Sequence, residues 1–149
     1  MKQTSILLIM IASSFCCAAQ DEKHLVESAV MDYVDAFYFG DSVKLMRSIS
    51  LDVIKHGYSR RRDATTYVLD TMSFREMLDY VAAVKKRNNP EAAKLQKKVE
   101  VFDQLSKTAS AKVTAWWGTD YILLAKPADK WMITHVLWQS PPPAIAANK

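Results

Sequence analysis

Two histidines lie inside strand-like runs, His56 in "VIKHGYS" and His135 in "KWMITHVLW". Strand alternation puts His56 on one side with Ile54 and Tyr58, and His135 on one side with Ile133 and Leu137. An imidazole among apolar neighbours loses hydration in its charged form. In its neutral form it acts as a general base, or it hydrogen-bonds a nearby tyrosine or ligand. Both roles stay open at His56 and His135, and the supporting role is the one expected here. His135 is expected to point into a cavity. Tyr33 and Phe37 from a first helix, Tyr58 from the first strand, and Trp117 and Tyr121 from later strands complete the expected lining. Aromatic walls with a few polar groups suit a small hydrophobic or aromatic ligand, planar or cyclic.

Carboxylates are harder to place. Asp120 falls at a turn, Asp70 stands opposite Tyr67 and Leu69, and Asp103 shares a face with Val99 and Val101. None reads as internal, which argues against isomerase or dehydratase chemistry. His24 lies near the start of the mature chain. The two strand histidines with no third ligand do not make a metal centre, so neither a metal nor a cofactor is expected.

The elements that must position these residues follow from periodicity. Leu25, Val26, Ala29, Val30, Tyr33, Val34 and Phe37 recur at helical spacing, which predicts a helix over 21–39 ending at Gly40. Asp41 caps a short second helix. "VIKHGYS" and "TYVLDTM" are strands around the basic turn "SRRRDA". Ser73 and Glu76 form a capping box for a helix that ends at "RNNP". From Val99 the period becomes two, and four strands joined by short turns make an antiparallel meander. The fold class is α+β, with helices packed on the concave face of a curved antiparallel sheet.

The meander is apolar on both sides. One face carries Ala109, Ala111, Val113, Ala115, Trp117, Tyr121, Leu123, Trp131, Ile133, His135 and Leu137, and is assigned to the helix-covered side. The other carries Trp116, Ile122, Leu124, Val136 and Trp138. A monomer rarely leaves that much contiguous apolar area wet, so a homodimer through this second face is expected.

The front end differs from the rest. Lys2, the run "SILLIMIA" and the small residues of "SSFCCAA" have the pattern of a signal peptide over residues 1–19. The apolar run is too short for a permanent membrane anchor. Export to the periplasm or medium is expected, leaving a domain over 20–140 and a disordered tail over 141–149. Cys16 and Cys17 leave with the leader, so the mature chain has no thiol chemistry and no disulfide. Loss of Lys2 takes the formal charge from +4 to +3. "SRRRD" has no aromatic interleaving, so it reads as a solvated loop and no nucleic-acid partner is expected.

Three stretches carry a resemblance: "MDYVDAFYFGDSVKLMRSISLDVIKHGY", "TMSFREMLDYV" and "SAKVTAWWGTDYILLAKPADKWMITHVLW". They resemble the putative lumazine-binding family of the nuclear-transport-factor-2-like superfamily, which also holds ketosteroid isomerases, scytalone dehydratases and polyketide cyclases. The resemblance implies a cone-shaped α+β domain, often dimeric through its sheet, with a pocket between sheet and helices. It implies no activity. The reading is an exported small-ligand-binding or accessory domain. The alternative is a cofactor-independent lyase or isomerase with His56 or His135 as general base.

Overall fold

The computed structural model describes residues 4–61 and 66–142, with side chains from 22 onward. The side chains of the expected leader, residues 62–65 of the basic turn and residues 143–149 of the tail lie outside that description.

Helix α1 runs Thr4–Phe39, and its stripe Val26, Val30, Tyr33 and Val34 is fully buried. Each such side chain contributes about 1.5–3 kcal/mol. Leu25, expected on that stripe, is half exposed. The helix stops at Gly40, whose φ is +71°. An added Cβ there would come within 2.3 Å of the Lys85 backbone, so this turn also seats α1 against the third helix. Asp41 accepts the N–H groups of Val43 and Lys44, both at 3.0 Å, and starts α2, Ser42–Ser48. Strand β1 spans Ile49–Ser59 and β2 spans Val68–Thr71. Helix α3 spans Phe74–Arg87 with the expected Ser73–Glu76 capping box, and closes on Asn88 in the left-handed region. The meander follows as β3 Lys97–Gln104, β4 Thr108–Ala115, β5 Gly118–Ala125 and β6 Met132–Gln139.

The sheet is six-stranded, unclosed and curved, in the order β2-β1-β6-β5-β4-β3. It is mixed rather than wholly antiparallel, because β1 pairs in parallel with β6. Met77 and Val81 of α3, Leu45 of α2 and the α1 stripe pack with Val113, Ile122, Leu124, Ile133 and Val136 of the sheet.

The face assignment needs correction at two places. Trp116 and Trp117 form a two-residue turn, so Ala115 pairs with Gly118, Val113 with Asp120 and Ala111 with Ile122. Cross-strand partners share a face, and so odd positions on β4 match even positions on β5. Ile122 and Leu124 are therefore under the helices, while Tyr121 and Leu123 are outside. On β6 a register shift intervenes: Leu124 pairs with Ile133, but Leu123 pairs with His135. The irregularity at Thr134 reverses the alternation, placing Ile133 and Val136 inside and His135 and Leu137 outside. The interface set Ile122, Leu124 and Val136 is thus core. Trp138 is half buried on the inner side, and Trp116 is a half-exposed turn residue.

Candidate functional site

Strand β1 alternates Val53, Lys55 and Gly57 inward against Ile54, His56 and Tyr58 outward. Lys55 is 8% exposed, and on β5 Asp120 is fully buried. Two charged groups taken out of water need close partners. The Tyr33 hydroxyl donates to Asp120 Oδ2 at 2.7 Å. Lys55 Nζ donates to the Tyr33 oxygen at 2.7 Å and lies 3.7 Å from Asp120 Oδ2. The Trp117 indole N–H donates to Asp120 Oδ1 at 2.8 Å. The turn that inverts the β5 parity therefore also supplies the indole that satisfies the inverted aspartate.

The network fixes its own protonation pattern. Burial raises the Tyr33 pKa well above the ordinary phenol value, and the Asp120 charge and hydrogen bond raise it further. Tyr33 therefore remains a hydrogen-bond donor to the carboxylate. Burial lowers the Lys55 pKa, and Asp120, then Asp70, partly offset that.

Lys55 opens on a cavity of about 220 Å³. Phe37, Trp117, Trp138 and Tyr80 supply aromatic walls, with Met72 and Asp70 from the β2 side. Lys55 Nζ stands 5.3 Å from the Phe37 ring centre and 5.8 Å from that of Trp138. Gly57 makes room for this arrangement, since a Cβ there would fall 2.0 Å from the Trp138 carbonyl oxygen and 2.6 Å from its ring. Of the three ammonium N–H groups, one is given to Tyr33. Among the described residues Lys55 Nζ makes no other hydrogen bond, and its approach to Asp120 is an ion pair at longer range. A partly free cationic donor facing aromatic walls can receive a carbonyl, enolate or carboxylate oxygen.

Of the residues expected to line the cavity, the structure gathers Tyr33, Phe37 and Trp117. The Tyr33–Phe37 and Phe37–Trp117 ring centres are 5.0 and 5.9 Å apart. It does not gather His56, Tyr58, Tyr121 or His135, which stand on the exposed outer face. His135 is beside Thr134, with Nδ1 3.0 Å from Oγ1. Its imidazole keeps contact with water, so the premise of the general-base reading does not hold there. Lys55, Asp120, Met72 and Tyr80 are site residues that sequence reasoning missed, and it misplaced Asp70 as not internal and Trp138 as a dimer-interface residue, whereas both line the cavity. The signal for Asp120 was the two-residue length of the Trp116–Trp117 turn. Lys55 was overlooked because Ile54 and Tyr58 made the opposite face of β1 look like the inner one. Among the described residues no cluster of three or more His, Cys, Asp or Glu could hold a metal ion, and no helix is long and apolar enough to cross a membrane.

Comparison with known proteins agrees with this architecture. An NTF2-like protein of unknown function from Shewanella baltica superposes with a TM-score of 0.63 at 18% identity, covering 82% of this chain and 95% of that one. One from Methylobacillus flagellatus gives 0.62 at 18%, covering 81% and 93%. One from Silicibacter pomeroyi gives 0.60 at 15%, covering 83% and 98%. These likenesses are of fold. The search of curated proteins gives no match. Residues 21–139, from within α1 to the end of β6, match the family described as "Putative lumazine-binding", and with the NTF2-like architecture around them the chain belongs to that family.

Proposed function

We propose that this chain is an exported small-ligand-binding domain. It takes a planar, oxygen-bearing ring into the cavity between Lys55, Phe37, Trp117 and Trp138. The observation that carries the reading is Lys55, a buried ammonium with unspent N–H donors among four aromatic walls, with Asp70 and Met72 at the β2 side. The family description names lumazine, a fused bicyclic ring with two carbonyl oxygens, which matches this chemistry of stacking faces and one cationic donor. Titration with lumazine should quench tryptophan fluorescence saturably. Lys55→Met, checked by circular dichroism for folding, should weaken binding by about tenfold or more, the loss of one charge-assisted hydrogen bond. Absence of quenching at millimolar lumazine, or equal binding by the folded variant, would defeat the reading. A histidine-based lyase or isomerase draws no support from the placement of His56 and His135, neither of which lines this cavity.

Export rests on the "SILLIMIASSFCCAA" run. N-terminal sequencing of the exported protein should begin at Gln20, and a cytoplasmic chain with Met1 intact would contradict it. Homodimerisation rests on the outer sheet face, where Ile54, Tyr58, Tyr121, Leu123 and Leu137 are each about half exposed. A second copy covering this face is the proposed partner. Leu123→Glu should then give a monomer by light scattering, and a wild type already monomeric at micromolar concentration would refute the interface.

A further inference from the structure

A second and larger hollow, about 450 Å³, lies on the other side of the Phe37–Tyr80 pair. It runs between the end of α3, the turn after it and the β4–β5 hairpin. Tyr38, Val84, Leu95 and the half-exposed Trp116 make it apolar. The Tyr38 hydroxyl is already occupied, donating to the Gln96 carbonyl and accepting the Trp116 N–H. Polar side-chain chemistry is thereby left to Arg87 and Asn89.

Both offer donors. The Arg87 guanidinium lies 5.6 Å over the Tyr80 ring and has no carboxylate partner among the described residues. Asn89 Oδ1 accepts the Glu91 N–H at 3.0 Å, which leaves its amide N–H₂ to donate. Glu91, the nearby acid in sequence, is neutralised by Lys94 at 2.7 Å. Lys85 and Lys86 share the last turn of α3 with Arg87, so the local charge is positive.

We propose that this groove is a binding site for a small aromatic monocarboxylate. The ring rests against Trp116 and its apolar neighbours, and the carboxylate is taken by Arg87 with help from Asn89. A planar guanidinium stacked on a ring is suited to such a fork-like contact. The groove shares the Phe37 and Tyr80 side chains with the Lys55 cavity, but its polar groups, Arg87 and Asn89, are its own.

Isothermal titration with 2-naphthoate, and with 2-naphthol as the neutral comparison, tests the proposal. The wild type should bind 2-naphthoate, and more tightly than 2-naphthol. Arg87→Gln lies at an exposed position and should weaken 2-naphthoate by about tenfold while leaving 2-naphthol unchanged. Trp116→Ala should weaken both. Lys55→Met should remove any 2-naphthoate taken by the other cavity and leave the Arg87-dependent binding in place, which separates this groove from that cavity. Four results would overturn the proposal: no 2-naphthoate binding at millimolar concentration, equal affinity for the two probes, an unaltered Arg87→Gln, or loss of all 2-naphthoate binding in Lys55→Met.

Discussion

The two faces of the sheet each carry large apolar side chains and titratable groups, yet they are built on opposite terms. Inside, Ile122, Leu124 and Val136 surround a lysine and an aspartate that are linked through Tyr33 and Trp117. Outside, Ile54, Leu123 and Leu137 alternate with two histidines that stay in contact with water. The comparison teaches that residue type does not select the face. Turn length and one irregularity do so, and charged residues fall inside where the packing supplies partners for them.

The hardest blow to the contrast is Asp120→Ala. It leaves Lys55 buried without its counter-ion, and strands the Tyr33 and Trp117 donors. Unfolding in urea should show a loss of about 3–5 kcal/mol. A loss under about 1 kcal/mol would mean that the inner network is no more than an exposed ion pair in energetic effect. A finer cut compares two neighbours on one strand. Ile122→Ala should cost about 2–5 kcal/mol through a cavity under the helices. Leu123→Ala, measured on the monomeric protein, should stay within about 0.5 kcal/mol. Equal losses would mean that the parity of β5 is wrong.

A pH series sharpens the comparison between inner and peripheral charge. Asp35 accepts Lys44 at 2.6 Å and Lys97 at 2.7 Å. Burial pushes its pKa up, but these two ammonium groups pull it down further, to a net value below the usual carboxylate one. A group with a depressed folded pKa stabilises above its unfolded pKa, and that share is lost as pH falls through the folded value. The gap between wild type and Asp35→Asn should therefore be level above about pH 4 and shrink below it. Its size should be about 1 kcal/mol or less. A gap that is constant down to acid unfolding would rule out Asp35 as the source. The smallest effect belongs to His135→Gln, which should shift stability by no more than about 0.5 kcal/mol and leave lumazine binding unaltered. A larger effect on either measurement would put the imidazole back inside.

Much of the fold was legible because it rests on local signals. Asp41 as a cap, the Ser73–Glu76 box, Gly40 as a stop and the period-two run after Val99 each act within a few residues. The inner aromatic group was legible in part, since Tyr33 and Phe37 belong to a single helical stripe. Asp120, Lys55 and Trp138 were not. Their facing depends on how β5 leaves a two-residue turn and how β6 shifts register at Thr134, and one strand read alone contains neither fact. The parallel β1–β6 pairing was also missed, because it joins strands from opposite ends of the domain.

That pairing governs the order of events when the chain folds. Tyr33 and Asp120 are 87 residues apart, and the inner edge of β1 is completed by the last strand, β6. During synthesis Lys55 exists long before Asp120 can receive its charge, and β1 holds an open edge until Met132–Gln139 has emerged. Contacts of such long range make folding slow, since loop closure must come before they stabilise anything. The Lys55 cavity is thus a late product of folding, and a nascent chain stalled short of β6 would present an unpaired strand edge to its neighbours.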